Sequence, residues 1–281
     1  MKLRQVFSSK VGRQVLLILV TGIGAAVVLF PIIWMVFASI RPVQETLASP
    51  PKWIPHEITT RFYRELLIEG KSRRYLLNGY IVSIGTTAVS LGLGSLAGYG
   101  FSRYRIKGGA MMLTALIGLR MLPGVVIIIP FFKLVQMFHL FNTYTGLILA
   151  MAARTLPMTI WLLKGYTDSI PRALEEAAMT EGATRIGAFY RVVLPLVAPG
   201  LLATGVMAFI GAWNALLLPI VLTSGEKVAP LTVGIALFFG QFGREWGQIM
   251  ALNTLGVLPL MFVFIFLQRY VVKGMTSGAV K

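Results

Sequence analysis

Between Val15 and Ile40 the chain runs for 26 residues without a charged side chain. A helix needs about 20 mainly apolar residues to cross a bilayer, so a run of this length is read first as a span. Five further stretches have the same character: Leu76–Ser102, Gly109–Phe132, Tyr144–Leu163, a segment from about Pro199 to Leu222, and one from about Gln248 to Leu267. None alternates apolar and polar residues as barrel strands do. The first run is too long for the apolar core of a secretory signal, and no small-residue cleavage site follows it. Pro31 inside it predicts a kink that neighbouring helices can accommodate. The expected fold is therefore an all-α polytopic membrane protein with six transmembrane helices, at about 15–40, 76–102, 109–132, 144–163, 199–222 and 248–267. A single domain over 15–268 is expected, with terminal segments 1–14 and 269–281. Composition agrees: 56% of residues are hydrophobic and 13% charged, against about 25% charged in soluble domains.

The net charge is +16. In a soluble chain that excess points to nucleic acid. In a membrane chain it has to be located, because Lys and Arg collect in cytoplasmic loops. Lys2, Arg4, Lys10 and Arg13 before the first span, Arg103, Arg105 and Lys107 in the short second loop, and Arg269, Lys273 and Lys281 at the end favour both termini inside. The bias is modest, since the 41–75 loop, then outside, carries seven basic residues of its own. No nucleic acid is needed to explain the charge.

Two basic residues fall inside the spans. Arg120 and Arg154 lie near the middle of the third and fourth helices, where a charge is costly and faces the bundle or a water-filled cavity. No span contains Asp or Glu to neutralise them. Three answers stay open: backbone carbonyls at helix breaks, since Pro123 and Pro157 each lie three residues on; a partner subunit; or an anionic substrate. Asn78, Trp213, Asn214 and Asn253 are further candidates for lining a translocation path, because amides pair with hydroxyls and indoles stack on sugar faces. Packing competes with that role at each. In the second span Thr86, Ser90, Gly94, Gly98 and Ser102 recur every fourth residue, a stripe that lets another helix approach closely.

The inside loop 164–191 is ordered by composition. Ser169 and Pro171 predict a helix start, and Glu181 and Arg185 have the spacing of a helical ion pair. Gly182 allows a turn between two short helices. The small side chains of Ala177, Ala178, Gly182 and Ala183 make a slim surface that could dock into a cleft, and the flanking Glu175, Glu176, Glu181 and Arg185 could pair with a soluble partner; a solvated connecting loop is the plainer reading.

This stretch resembles the EAA signature of permease subunits of ABC importers. The signature reads E-A-A, three residues, G, nine residues, a hydrophobic residue, one residue, L-P. Here it falls on Glu176-Ala177-Ala178, Gly182, Val192 and Leu194-Pro195, with Glu181 where Asp is usual before the glycine. The likeness extends along the chain to the carbohydrate-uptake branch, which includes the smaller membrane subunit of the maltose transporter. It is carried by PIIWMVFASIRP from Pro31, PKWIP from Pro51, AGYGFSR from Ala97, Met121-Leu122-Pro123 with Pro130, Trp213-Asn214, and QRYVVKGMTSGAVK from Gln268. Gly79 departs from the family, where serine is common, and a neutral exchange is expected.

The resemblance implies a type I importer transmembrane domain in the bacterial cytoplasmic (inner) membrane. It implies a second permease subunit, a cytoplasmic ATPase dimer, an extracytoplasmic solute-binding protein and a sugar or oligosaccharide as substrate. The EAA loop would be the coupling helix seated in the ATPase, with the tail from Gly274 beside it. The loop from about Thr223 to Gln248, read as extended, would reach toward the binding protein. An acidic saccharide or a glycerol-phosphate-type solute is the alternative cargo.

The motor is expected on another chain. Gly70-Lys71-Ser72 ends like a phosphate-binding loop, but position 65 is Glu where glycine is needed. ATP and Mg would therefore sit on the partner ATPase, with no cofactor on this chain. His56 and His139 are distant in sequence and cysteine is absent, so neither a metal cluster nor a nucleophilic centre is expected. An ion-coupled secondary transporter is disfavoured by the lack of membrane carboxylates.

Overall fold

The computed structural model describes residues 10–46, 55–68, 70, 72–241 and 246–277. The expectations placed on 1–9, Pro51 to Ile54, Gly243 and the last residues of the tail lie outside these. The chain divides into two units, Met1–Lys71 with Phe238–Val257, and Ser72–Leu237 with Leu258–Lys281.

In the first unit, α1 (Lys10–Ser39) is apolar all round. Residues 13–31 are exposed along its whole circumference, which fits a helix that meets lipid or protein rather than water. The short helix α2 (Arg61–Leu67) buries Phe62 and Leu66. Glu65 on α2 accepts from Arg61 Nε at 2.5 Å and from Gln248 Nε2 at 2.7 Å. Arg41 is buried, with its guanidinium 5.0 Å from the centre of the Trp34 ring.

The second unit is built on two long helices, α3 (Arg73–Arg103) and α6 (Tyr144–Asp168). Between them come α4 (Gly109–Gly118), which continues as a tight turn Leu119–Met121, and α5 (Gly124–Met137). After them come α7 (Arg172–Thr180), α8 (Arg185–Ala188), α9 (Ala198–Trp213), α10 (Leu217–Leu222) and α11 (Leu231–Gln241). Helix α11 and the last helix, α12 (Trp246–Ser277), each divide between the units. Strands are absent among the described residues.

Lipid tails are as apolar as leucine, so helices in a membrane associate through close packing rather than through the hydrophobic effect. The stripe on α3 serves that purpose within the chain. Thr86, Ser90, Gly94, Gly98 and Ser102 are all buried, and Gly94 meets Thr159 of α6. A Cβ on Gly98 would come within 2.9 Å of the Lys164 backbone nitrogen, so only glycine allows this approach. Helix α9 packs on both α3 and α6. Val82, Leu147, Met151, Ala212, Leu218 and Leu222 form the core there.

Among the described residues four helices are long and apolar enough to cross a membrane singly, and the count reaches six where each of two bent pairs is one span. The bends depart from the expected straight spans. The third, expected over 109–132, breaks before Gly124 and turns by 104°. Pro123 causes this, since it cannot continue the ladder of the preceding turn and instead caps α5. The segment Arg185–Leu196 meets α9 at 75°, at Val197. The fifth span, expected to reach 222, stops at Trp213, and Asn214 to Leu216 separate it from α10. The fourth runs on to Asp168, and the sixth continues helically to Ser277, into the expected tail. The loop read as extended contains α11 instead. Gly234 inside that helix is no loop signal, because a Cβ there would lie 2.7 Å from the Tyr75 ring.

Candidate functional site

The loop between α6 and α9 is fastened to the end of α3 by charged groups. Arg103, the last residue of α3, donates from Nε to Glu175 Oε1 at 2.5 Å and from Nη2 to the Ile170 carbonyl at 2.9 Å. Tyr99, one turn earlier, donates to Glu175 Oε2 at 2.9 Å. The Arg103 and Glu175 side chains are each 7% exposed. Arg172 Nη2 donates to the Ser102 carbonyl at 3.0 Å. Ser102 Oγ donates to Asp168 Oδ1 at 2.6 Å, and Lys164 Nζ donates to Asp168 Oδ2 at the same distance. Both oxygens of the buried Glu175 are thus satisfied, as a buried polar network requires, and the exposed Asp168 also has both oxygens engaged.

Glu175 therefore belongs to the anchor and not to the exposed face. Glu176, Ala177, Glu181, Gly182 and Arg185 are exposed, while Ala178 and Ala183 are half-buried. Beside them Leu174 (46% exposed), Ile186 (71%) and Tyr190 (53%) also lie open. These three apolar side chains were not singled out from the sequence. Exposed large hydrophobics on a segment outside the spans are the signal that finds them.

Local chemistry shapes this element differently from expectation. The helix start is capped by Pro171, whereas Ser169 closes α6 by donating to the Tyr166 carbonyl at 2.7 Å. Glu181 and Arg185 do not share a helix, because α7 ends at Thr180 and Gly182 adopts φ +96°. Arg185 instead sits 5.6 Å from the centre of the Tyr104 ring. Thr184 caps α8 by accepting from the Gly187 N–H at 3.1 Å. A π-type turn, Phe189–Val193, then buries Phe189 and Val193 with Val197 against Tyr99 and Tyr166.

The path candidates separate into two groups. Arg120, Arg154 and Asn214 line one cavity of about 570 Å³, with Thr155, Thr204 and Leu217 among its other walls. Arg120 sits in the turn before Pro123, and Asn214 closes α9. Arg154 lies against the first turn of α5: a Cβ on Gly124 would be 3.4 Å from its Nη1. Both arginines are exposed, and among the described residues neither donates to a carbonyl or meets a carboxylate. A bond from either to carbonyls at a helix break is thus not seen among the described residues.

Asn78 and Trp213 lie in the packed interior instead. The Asn78 amide donates to the Glu226 and Ala229 carbonyls at 3.0 and 2.9 Å and accepts from Tyr144 OH at 2.5 Å, tying α3 and α6 to the segment before α11. Trp213 is 5% exposed, beside Tyr80 and Phe209. Gly79 makes room for it, since a Cβ there would stand 3.2 Å from the indole. Asn253, in the first unit, donates to the Ile249 carbonyl of its own helix at 2.8 Å.

Known proteins resemble this chain over most of its length. It is 35% identical over 253 residues (90% of this chain, 89% of the other) to the sulfoquinovosyl glycerol transport system permease protein SmoH of Agrobacterium fabrum. It is 34% identical over 272 residues (96% and 97%) to the trehalose/maltose transport system permease protein MalG of Thermococcus litoralis. Among solved structures, a chain of a bacterial ABC transporter involved in the import of the acidic polysaccharide alginate superposes with a TM-score of 0.79. That match is 22% identical and covers 94% of this chain and 99% of the other, and it bears out the all-α importer fold. The family model for binding-protein-dependent transport system inner membrane components matches residues 90–277. By that match the chain belongs to this family, as a multi-pass, non-catalytic permease subunit of an ABC transporter.

Proposed function

We propose that the chain is the permease subunit of an ATP-driven, binding-protein-dependent importer of a sugar or oligosaccharide. The observation that carries this is the construction of α7 and α8. One side is locked to α3 by the buried Arg103–Glu175 pair, and the other offers Glu176, Ala177, Glu181 and Gly182 with exposed Leu174 and Ile186. An element that must transmit force needs a stiff inner attachment and an accessible outer face. The outer face would seat in a separate ATPase that carries ATP and Mg. Its closure would move α7, and through Arg103 and Tyr99 it would move α3.

Both termini then lie on the cytoplasmic side, together with α7 and α8. A second permease subunit completes the pore, and a solute-binding protein delivers cargo from the other side. Relatives matched over nine-tenths of their own length support the sugar assignment, for they include trehalose/maltose and diacetylchitobiose system permeases. The test is deletion of 175–186 in a complex expressed with its ATPase. The deletion is expected to abolish co-purification of the ATPase and uptake together. Intact assembly would refute the coupling role.

A further inference from the structure

The unpaired arginines lead further. A guanidinium within the membrane is expensive unless something answers it. Charges at that depth normally pair with one another or with backbone carbonyls. Arg120 and Arg154 have no such partner among the described residues. The one acidic residue in the candidate spans, Asp168 at the end of Tyr144–Asp168, is taken up by Ser102 and Lys164. Their surroundings favour an anion further. Arg154 lies at the first turn of α5, the positive pole of a 14-residue helix, where a cation is itself disfavoured. Thr204 on the same wall is 2% exposed, and its hydroxyl has no hydrogen-bond partner. Asn214 adds an amide to the lining. At about 570 Å³ the cavity is within the size range of small-molecule sites.

We propose that this cavity binds the anionic group of an acidic saccharide during its passage, with Arg120 and Arg154 as the counter-charges. This rests on the sugar-importer assignment and narrows its cargo to glycans bearing a carboxylate, sulfonate or phosphate. Arginine suits all three, because its planar fork pairs two oxygens at once. Thr204 and Asn214 offer hydrogen bonds to neighbouring hydroxyls.

The test uses the whole transporter, with partner permease, ATPase and binding protein, in proteoliposomes. Four probes are offered: a neutral disaccharide, a hexuronate-containing disaccharide, a sulfonated glycoside and a glycerophosphoryl glycoside. The wild-type complex is expected to take up one of the three anionic probes, and which one identifies the acid. Arg120→Gln and Arg154→Gln are each expected to lower that uptake about ten- to a hundredfold, the worth of one charge-assisted hydrogen bond. Arg154→Lys is expected to recover part of it, and all complexes should remain assembled. Three results overturn the proposal: uptake of the neutral probe alone, anionic uptake undiminished in both Gln variants, or loss of the partner permease from the Arg154→Gln complex. The last would make the arginines a subunit contact. Uptake of no probe would instead strike the sugar-importer assignment itself.

Discussion

Two sets of charges in one unit are treated in opposite ways. At the end of α3, Arg103 meets Glu175 at 2.5 Å, and both side chains are 7% exposed. At the break between α4 and α5, Arg120 and Arg154 stand exposed with no acidic partner among the described residues. The first arrangement fixes one backbone to another and has nothing left to offer a ligand. The second engages no acidic group among the described residues. Paired charges here mark attachment, and the proposal gives the unpaired ones to recognition.

That contrast predicts a hierarchy of stabilities. Glu175→Ala strands a buried guanidinium and is expected to cost about 3–5 kcal/mol, read as a large fall in the thermal midpoint of the detergent-solubilised complex. Replacing both partners, Arg103→Met with Glu175→Leu, is expected to recover most of that stability while transport stays low. Equal loss in the single and double variants would show that the pair is not what fastens α7. Gly98→Val comes next. It forces a side chain into the Lys164 backbone, and about 1–3 kcal/mol is expected from such overpacking. Lys164→Ala removes a half-exposed pair with Asp168 and is expected to cost less than about 1 kcal/mol in the same assay. Arg154→Gln is expected to change the midpoint least, within about 0.5 kcal/mol. A drop comparable to that of Glu175→Ala would mean that Arg154 is structural after all.

The sequence made much of this visible and hid the rest for physical reasons. The stripe of five small residues on α3 was legible because they recur at helical spacing, which lets another helix approach closely. The exposed segment proposed for coupling was legible through the spacing of its signature. Glu175 was misplaced among the exposed residues because its partner lies 72 positions away, beyond any local pattern. The Glu181–Arg185 spacing misled because a positive φ at Gly182 interrupts the helix that the pair needs. Asn78 and Trp213 have the chemistry of a sugar path, yet their partners are backbone carbonyls and neighbouring rings. Helix α11 was hidden by its own glycines, since Gly234 reads as a loop residue until the Tyr75 ring that covers it is known.

The docking face can be tested directly because the chain has no cysteine, so a single introduced thiol reports on one place. Ile186→Cys on the exposed face of α8 and Ser224→Cys in the segment after α10 are compared in the assembled transporter with a short bifunctional thiol–amine reagent. Ile186→Cys is predicted to give a covalent adduct with the ATPase subunit, and Ser224→Cys none. An ATPase adduct from Ser224→Cys with none from Ile186→Cys would contradict the account.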